Sequence, residues 1–301
     1  MHKSVLLDEC LEYLNLHDNS IVVDCTLGYG GHSSEILKRI KKGKLFAFDQ
    51  DTNAIKYSNE KLSKIGNNFE LINSNFVNIK EEIEKRNVKV DGVLYDLGVS
   101  SPQLDIDTRG FSFHADAKLD MRMNQNQDLS AYEVVNSYTE EDLTDILFKY
   151  GEEKYAKSIA KEIVNNRPIN TTLELVEVIK NAVPEKYKRD KHPARKTFQA
   201  IRIEVNDELN VFKKSLKDAL ELLNINGRIC VITFQSLEDK ICKEIFKKVS
   251  DLPNELKNLP VVPEEYQPKY KVIKTIKPTK DEINSNNRAR SAKLRVIERI
   301  R

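Results

Sequence analysis

Short apolar segments alternate with amphipathic segments along the first hundred residues. The apolar segments have the length of buried strands, and they cover residues 20–24, 44–49, 69–73 and 90–96. Between them apolar residues recur at helical spacing, which predicts helices over residues 4–14, 32–41, 52–64 and 78–87. Strands that alternate with amphipathic helices predict βαβ units and a parallel sheet.

This alternation is interrupted in the middle of the chain. Residues 104–127 are loop-like, and helical periodicity then continues over residues 130–183 without a strand candidate. Later patterns predict a long helix over about 205–223 and strands over 227–234, 271–276 and 293–300. We therefore predict a discontinuous α/β domain, residues 1–103 and 205–301, with a mainly helical insertion over residues 104–204.

Composition is typical of a globular protein with a buried core, since 40% of the 301 residues are hydrophobic and 32% are charged. No apolar run reaches the length of about 18 residues that a membrane span needs, and no signal peptide is recognisable. We expect a cytoplasmic protein with no membrane partner.

The four cysteines and five histidines are widely scattered, so we expect buried, reduced thiols and no bound metal.

Positive charge is concentrated in two segments, although the net charge is only +2. Residues 269–301 hold 11 Lys or Arg and three acids, and residues 186–202 hold seven Lys or Arg and one acid. Such clusters are typical of a phosphate-binding surface. A solvated lysine-rich surface explains them equally well, so charge alone leaves nucleic-acid binding open.

A glycine-rich segment, Asp24-Cys-Thr-Leu-Gly-Tyr-Gly-Gly-His32, follows the first predicted strand and begins a helix. Glycines let the backbone approach a ligand, and the helix N-terminus offers unpaired N–H groups. Asp49 ends the next strand, where a carboxylate suits the two hydroxyls of a ribose. Ser33 replaces the third glycine of a dinucleotide fingerprint, and Asp24 suits a cationic ligand. The segment therefore favours S-adenosylmethionine over NAD, with a turn that serves only packing as the alternative.

A second polar segment, Asp96-Leu-Gly-Val-Ser-Ser-Pro-Gln103, ends the fourth predicted strand. Open α/β sheets bind ligands at this edge. An amine conjugated to a base ring is a poor nucleophile, and oxygens of Asp96 and Ser100 are suited to accept its N–H groups and aim its lone pair at a methyl group. A Ser-Pro turn that merely ends the strand is the alternative.

Eight motifs in one order resemble the bacterial 16S ribosomal RNA cytosine-N4 methyltransferases of the small-subunit methyltransferase H family. They are SVLLDE (4–9), DCTLGYGGH (24–32), DLGVSSPQ (96–103), RGFSF (109–113), LDMRM (119–123), HPARKTFQAIRIEVNDEL (192–209), VITFQSLED (231–239) and RARSAKLRV (288–296). The resemblance implies a Rossmann-like methyltransferase sheet with an inserted, mainly helical substrate-recognition domain. It also implies methyl transfer from S-adenosyl-L-methionine to N4 of a cytosine in the decoding region of 16S ribosomal RNA, within the small ribosomal subunit.

The resemblance also implies roles for individual residues. The implied donor site consists of Gly30, Gly31, His32, Asp49, Phe76, Asp96 and Gln103, with Phe76 stacked on the adenine. Asp96, helped by Ser100 and Ser101, is expected to orient the amine. Residues expected to contact the RNA are Arg109, Phe111, Arg122, Arg195, Lys196, Arg288 and Arg290. For Phe111, hydrophobic anchoring of the insertion against the sheet is an equal alternative. A homodimer is left open.

Two positions depart from the family pattern. Gln235 stands where the family usually has His, and Asn124 where it usually has Asp. We expect Gln235 to hydrogen-bond the substrate, because N4 loses its proton easily once methylated and needs no dedicated base. Three other functions are weighed: a small-molecule or protein methyltransferase, a non-catalytic RNA-binding factor, and a nicotinamide-dependent dehydrogenase. The glycine segment with Asp49 argues against the second, and Ser33 against the third.

Overall fold

The computed structural model describes residues 4–98, 109–190, 192–253, 256 and 262–301. The chain divides into two compact units. The first, called the α/β unit, comprises Met1–Gly98 and Leu209–Arg301. The second, called the helical unit, is Val99–Glu208.

Seven strands form one sheet in the α/β unit. They are β1 Ile21–Asp24, β2 Lys44–Asp49, β3 Phe69–Asn73, β4 Val90–Asp96, β5 Leu223–Thr233, β6 Tyr270–Ile276 and β7 Lys293–Arg299. Their order is β3-β2-β1-β4-β5-β7-β6, in which the first five strands are parallel and β7 is antiparallel to both neighbours. This topology confirms the predicted Rossmann-like α/β sheet. Because the order reverses between β1 and β4, a crevice forms where these two strands end.

Helices cover both faces of this sheet, as the continuous apolar strands require. Those of the α/β unit are α1 Leu7–Tyr13, α2 Gly31–Arg39, α3 Thr52–Leu62 and α4 Ile79–Glu84. Successive strand residues point to opposite faces, so Val22 packs with residues of α1, α2 and α3, whereas Val23 packs with residues of α4 and of later helices.

The helical unit has a hydrophobic core of its own. Its helices are α5 Ala131–Ser137, α6 Glu140–Gly151, α7 Ala156–Asn165, α8 Thr172–Asn181, α9 Glu185–Asp190 and α10 Ala194–Asn206. Three of them begin at capping boxes, in which Ser130, Thr139 and Thr171 are the N-cap residues. Each box satisfies backbone N–H groups that the first helical turn leaves unpaired.

The remaining helices return to the α/β unit. They are α11 Glu208–Leu222, α12 Ser236–Ser250 and α13 Lys280–Ser285. The helix predicted to begin at about residue 205 begins at Glu208 instead, because Asp207 adopts a left-handed φ of 48° that ends α10. Arg202 reinforces this junction with two hydrogen bonds to the carboxylate of Glu208, at 2.7 and 2.9 Å.

Two further expectations concern the cysteines and the membrane. All four cysteines are buried and none forms a disulfide, which confirms the prediction of reduced thiols. Among the described segments, no helix is both long and apolar enough to cross a membrane.

Candidate active site at the carboxyl edge of the sheet

Three acidic residues end three neighbouring strands at the crevice. Asp24 ends β1, Asp49 ends β2 and Asp96 ends β4. These strands are adjacent and parallel, so their carboxyl ends meet at one edge. Oγ1 of Thr26 accepts a hydrogen bond from the backbone N–H of Asp96 at 2.7 Å and ties the loop after β1 to the end of β4.

The glycine loop between β1 and α2 has a backbone that favours glycine. Gly28 and Gly30 have φ values of 49° and 67°, in the left-handed region. Helix α3 supports this loop, because Oγ of Ser58 donates to the carbonyl of Gly28 at 2.9 Å and Nζ of Lys61 donates to the carbonyl of Tyr29 at 3.0 Å. Sequence reasoning missed both supports, although a serine and a lysine three positions apart on an otherwise apolar helix face were a usable signal.

Asp24 has its carboxylate inside the loop. It is 1% exposed, and its oxygens accept from the backbone N–H of Thr26 at 3.0 Å and from Oγ of Ser33 at 2.6 Å. The carboxylate of Asp24 therefore stabilises the loop from inside, and the suitability of its charge for a cationic ligand stays a prediction. Ser33, the residue that replaces a third glycine, supplies the shorter of these two hydrogen bonds.

Asp49 connects β2 to the same loop. Its carboxylate accepts from the backbone N–H of Gly28 and from that of Asp51, both at 2.9 Å. Burial is the largest influence on this carboxyl and raises its pKa to about 7. Each carboxylate oxygen has a second lone pair, so Asp49 can still accept hydrogen bonds from a ribose.

The side chains of Asp96 and His32 lie close together at the carboxyl edge of the sheet. Nδ1 of His32 lies 3.6 Å from Oδ2 of Asp96, and Nε2 of His32 lies 3.2 Å from the carbonyl oxygen of Val5. Burial raises the pKa of Asp96 to about 6, while the nearby His32 acts in the opposite direction. Oδ1 of Asp96 is buried, and within the described part of the chain it has no hydrogen-bond partner.

Phe76 lies just beyond β3 and is half-buried. Its ring meets that of Tyr95 edge-on, with centroids 5.7 Å apart. Oγ of Ser215 donates to the carbonyl of Phe76 at 2.9 Å and lies 2.7 Å from the hydroxyl of Tyr95. These contacts fix the backbone and one edge of the ring.

The donor set fits S-adenosylmethionine. A Cβ at Gly31 would overlap Oγ of Ser4. The backbone at the start of α2 therefore packs closely against its neighbour and carries no side chain at this position. Asp49 offers carboxylate lone pairs to a diol, Phe76 offers an aromatic ring, and Asp96 offers a buried oxygen without a partner among the residues described. Ser100, Ser101 and Gln103 lie outside the described residues.

Two predicted RNA contacts, Arg109 and Phe111, are buried in the helical unit, and a third, Arg122, is partly exposed there. Phe111 is 6% exposed in its core, and Arg109 is 8% exposed and donates to the carbonyl of Arg122 at 2.7 Å. Arg122 itself makes two hydrogen bonds of 2.9 Å to Asp120 and one of 2.7 Å to the carbonyl of Gln127. The burial of Arg109 and Phe111 argues against direct contact with RNA, whereas the contact predicted for Arg122 stays a prediction.

The other predicted RNA contacts are more accessible. Arg195 is exposed at the start of α10, and Nζ of Lys196 donates to the carbonyl of Glu152 at 2.5 Å. In the α/β unit, Arg288 is half-buried and Arg290 is exposed on one short 3-10 helix. The two pairs lie on different units, and their roles stay predictions.

Gln235 precedes α12, at the end of β5. Its Nε2 donates to Oε1 of Glu238 at 2.9 Å, and the other oxygen of Glu238 accepts from the backbone N–H of Phe234 at 2.9 Å. Glu238 is 3% exposed. The Gln-x-x-Glu spacing before an apolar helix was the sequence signal for this arrangement, which holds the Gln235 side chain beside the end of β5.

Comparison with known proteins identifies the family. The ribosomal RNA small subunit methyltransferase H of Exiguobacterium sibiricum is 53% identical over 307 residues, covering 100% of this chain and 98% of that protein. The protein of the same name from Mycoplasma capricolum is 56% identical over 305 residues, covering 99% of each. A solved rRNA methylase from Streptococcus thermophilus matches 100% of this chain and 99% of its own, at 14% identity and a TM-score of 0.45.

A family model gives the same result and confirms the resemblance carried by the eight motifs. It supports the expectation that S-adenosylmethionine is the cofactor. The model describes the MraW methylase family and matches residues 1–300. The chain therefore belongs to the MraW methylase family.

Proposed function

We propose that this protein transfers a methyl group from S-adenosyl-L-methionine to the N4 amine of a cytosine in the decoding region of 16S ribosomal RNA. The names of the relatives support small-subunit ribosomal RNA as the substrate class. The observation that carries the chemistry is Oδ1 of Asp96, a buried acceptor with no partner among the described residues, at the edge where open α/β sheets bind ligands.

When bound, S-adenosylmethionine would supply an activated methyl group: the bond from N4 to carbon forms as the carbon–sulfur bond breaks, the electron pair of that bond goes to sulfur, and one proton of N4 goes to water. Asp96 accepts an N–H of the amine at Oδ1, which draws the nitrogen lone pair out of conjugation and fixes its direction. Asp49 holds the ribose hydroxyls, and the glycine loop lets backbone approach the donor. The protein therefore accelerates the reaction mainly by alignment.

Substitution of Asp96 tests this proposal. Methyl transfer to small ribosomal subunits that lack the modification is measured for wild type, Asp96→Ala, Asp96→Asn and the control Asp251→Asn, which alters an exposed acid after α12. We expect Asp96→Ala to lose at least about a hundredfold in rate, because the amine is misaligned. Asp96→Asn should lose less, since it keeps one carbonyl acceptor, and the control should match wild type.

Circular dichroism and thermal unfolding establish that each variant is folded. Full activity of a folded Asp96→Ala variant would contradict the assignment of Asp96. Transfer that needs no RNA would favour a small-molecule or protein acceptor instead.

A further inference from the structure

The imidazole of His32 has both of its nitrogens close to polar groups of the protein. The side chain is 5% exposed in the first turn of α2. Nε2 lies 3.2 Å from the carbonyl oxygen of Val5. A carbonyl oxygen only accepts hydrogen bonds, so Nε2 carries a hydrogen, and Nδ1 is the nitrogen that faces Oδ2 of Asp96 at 3.6 Å.

We propose that His32 is a positioning residue for the methyl-transfer step: it holds Oδ2 of Asp96 and keeps that carboxyl ionised, so that Oδ1 remains directed to the substrate amine. This inference rests on the proposed function. It also implies that the side chain of His32 does not contact the cofactor. Because Val5 and Asp96 face the two ring nitrogens, a cofactor contact at this position falls to the backbone.

The geometry of the pair supports this role. Nδ1 of His32 lies within ion-pair distance of Oδ2 of Asp96, and the imidazole is almost fully enclosed by the fold. A positively charged partner this close to a carboxyl favours the ionised form of that carboxyl. Among the described residues, the titratable groups whose charges act on the pKa of Asp96 are His32 from α2 and Asp24 from β1. Cys10 from α1 is also near, since the charge of Asp96 contributes to raising the pKa of its thiol.

Of these groups only His32 favours ionisation of Asp96. Burial is the largest influence and raises the pKa of Asp96 to about 6, the charge of Asp24 adds to that effect, and His32 lowers the pKa. Removal of the imidazole should therefore raise the pKa of Asp96 further. Its neutral form, which accepts an amine N–H less well, would then persist to higher pH.

Two substitutions separate the two ends of the ring. His32→Asn places an amide near the position of Nδ1 and keeps a neutral donor for Asp96, whereas His32→Gln places one near Nε2 and keeps the anchor to Val5. The first measurement needs no activity. The carboxyl carbon of Asp96 is followed by nuclear magnetic resonance through a pH titration of wild type and both variants, and its resonance is identified by its loss in Asp96→Asn.

We expect the Asp96 midpoint to rise by about 1 pH unit in His32→Gln, and by less in His32→Asn. The second measurement is the pH profile of methyl transfer. We expect kcat of His32→Gln to fall at least about tenfold at neutral pH, its acid limb to move to higher pH, and His32→Asn to recover part of the loss. The KM for S-adenosylmethionine should change by less than about threefold, because positioning acts on the chemical step.

An Asp96 midpoint in His32→Gln equal to that of wild type would overturn the inference. So would an unchanged kcat with a raised KM for the cofactor, since that result would make His32 a cofactor-binding side chain. Failure of the proposed function is distinguishable, because it would show as wild-type enzyme that forms no N4-methylcytidine, while the Asp96 titration would still decide the role of His32.

Discussion

Asp49 should make cofactor binding depend on pH. Its carboxyl has a pKa of about 7 in the free protein because it is buried, and a ribose diol donates hydrogen bonds best to the ionised form. At pH 6 roughly one molecule in ten carries the carboxylate, and at pH 8 roughly nine in ten. Binding that requires the carboxylate should therefore strengthen about tenfold from pH 6 to pH 8, which is about 1.4 kcal/mol.

The assay is calorimetric or dialysis binding of 5′-methylthioadenosine at pH 6, 7 and 8. This probe keeps the ribose and adenine but has no group that titrates in that range, so any pH dependence belongs to the protein. Asp49→Asn should bind more weakly and without pH dependence. The matched control is Asp51→Asn, which keeps a good N-cap for α3. It should retain the dependence with the midpoint moved to lower pH, because the charge of Asp51 contributes to raising the pKa of Asp49. A wild-type affinity that is constant from pH 6 to 8, or an unchanged slope in Asp49→Asn, would refute the reasoning.

Three further predictions concern packing and charge. Gly31→Ala should lower the melting temperature because its Cβ overlaps Oγ of Ser4, and adding Ser4→Ala should recover much of the loss; no recovery would mean that the overlap is not the cause. Gly110→Ala should cost at least about 1 kcal/mol in urea unfolding, because φ is 73° there and the Cβ overlaps a backbone carbonyl; unchanged stability would contradict this. Arg122→Met should lower stability and leave the salt dependence of RNA binding unchanged. Arg290→Met should reduce by about 1 the slope of log affinity against log salt concentration. The reverse pattern would make Arg122 the RNA contact in place of Arg290.

The strands of the sheet could be predicted from the sequence because helices cover both faces of the sheet. Strands buried on two sides are continuous apolar runs, and the runs over 44–49, 69–73 and 90–96 coincide with β2, β3 and β4. Strand order was not readable, since hydrophobic periodicity says nothing about which strands pair. Helix α10 was not predicted, because basic residues lie among its apolar positions. Phe198, Ile201 and Val205 nevertheless recur at helical spacing and are buried.

The sequence predicted only the part of the site that lies at the ends of strands. The ends of β1, β2 and β4 indicated which acids lie at one edge of the sheet. Contacts formed by loop closure, such as Ser33 to Asp24 and His32 to Asp96, have no periodic signature. The burial of Arg109 and Phe111 in the helical unit has no periodic signature either, because both lie in a segment without regular apolar spacing.

The most direct test of the account is methyl transfer from labelled S-adenosylmethionine to purified small ribosomal subunits that lack the modification, followed by digestion and nucleoside analysis. We expect the label to be recovered as N4-methylcytidine, and its rate of appearance to fall at least about a hundredfold in Asp96→Ala. Label in another nucleoside, or transfer that proceeds equally well without RNA, would contradict it.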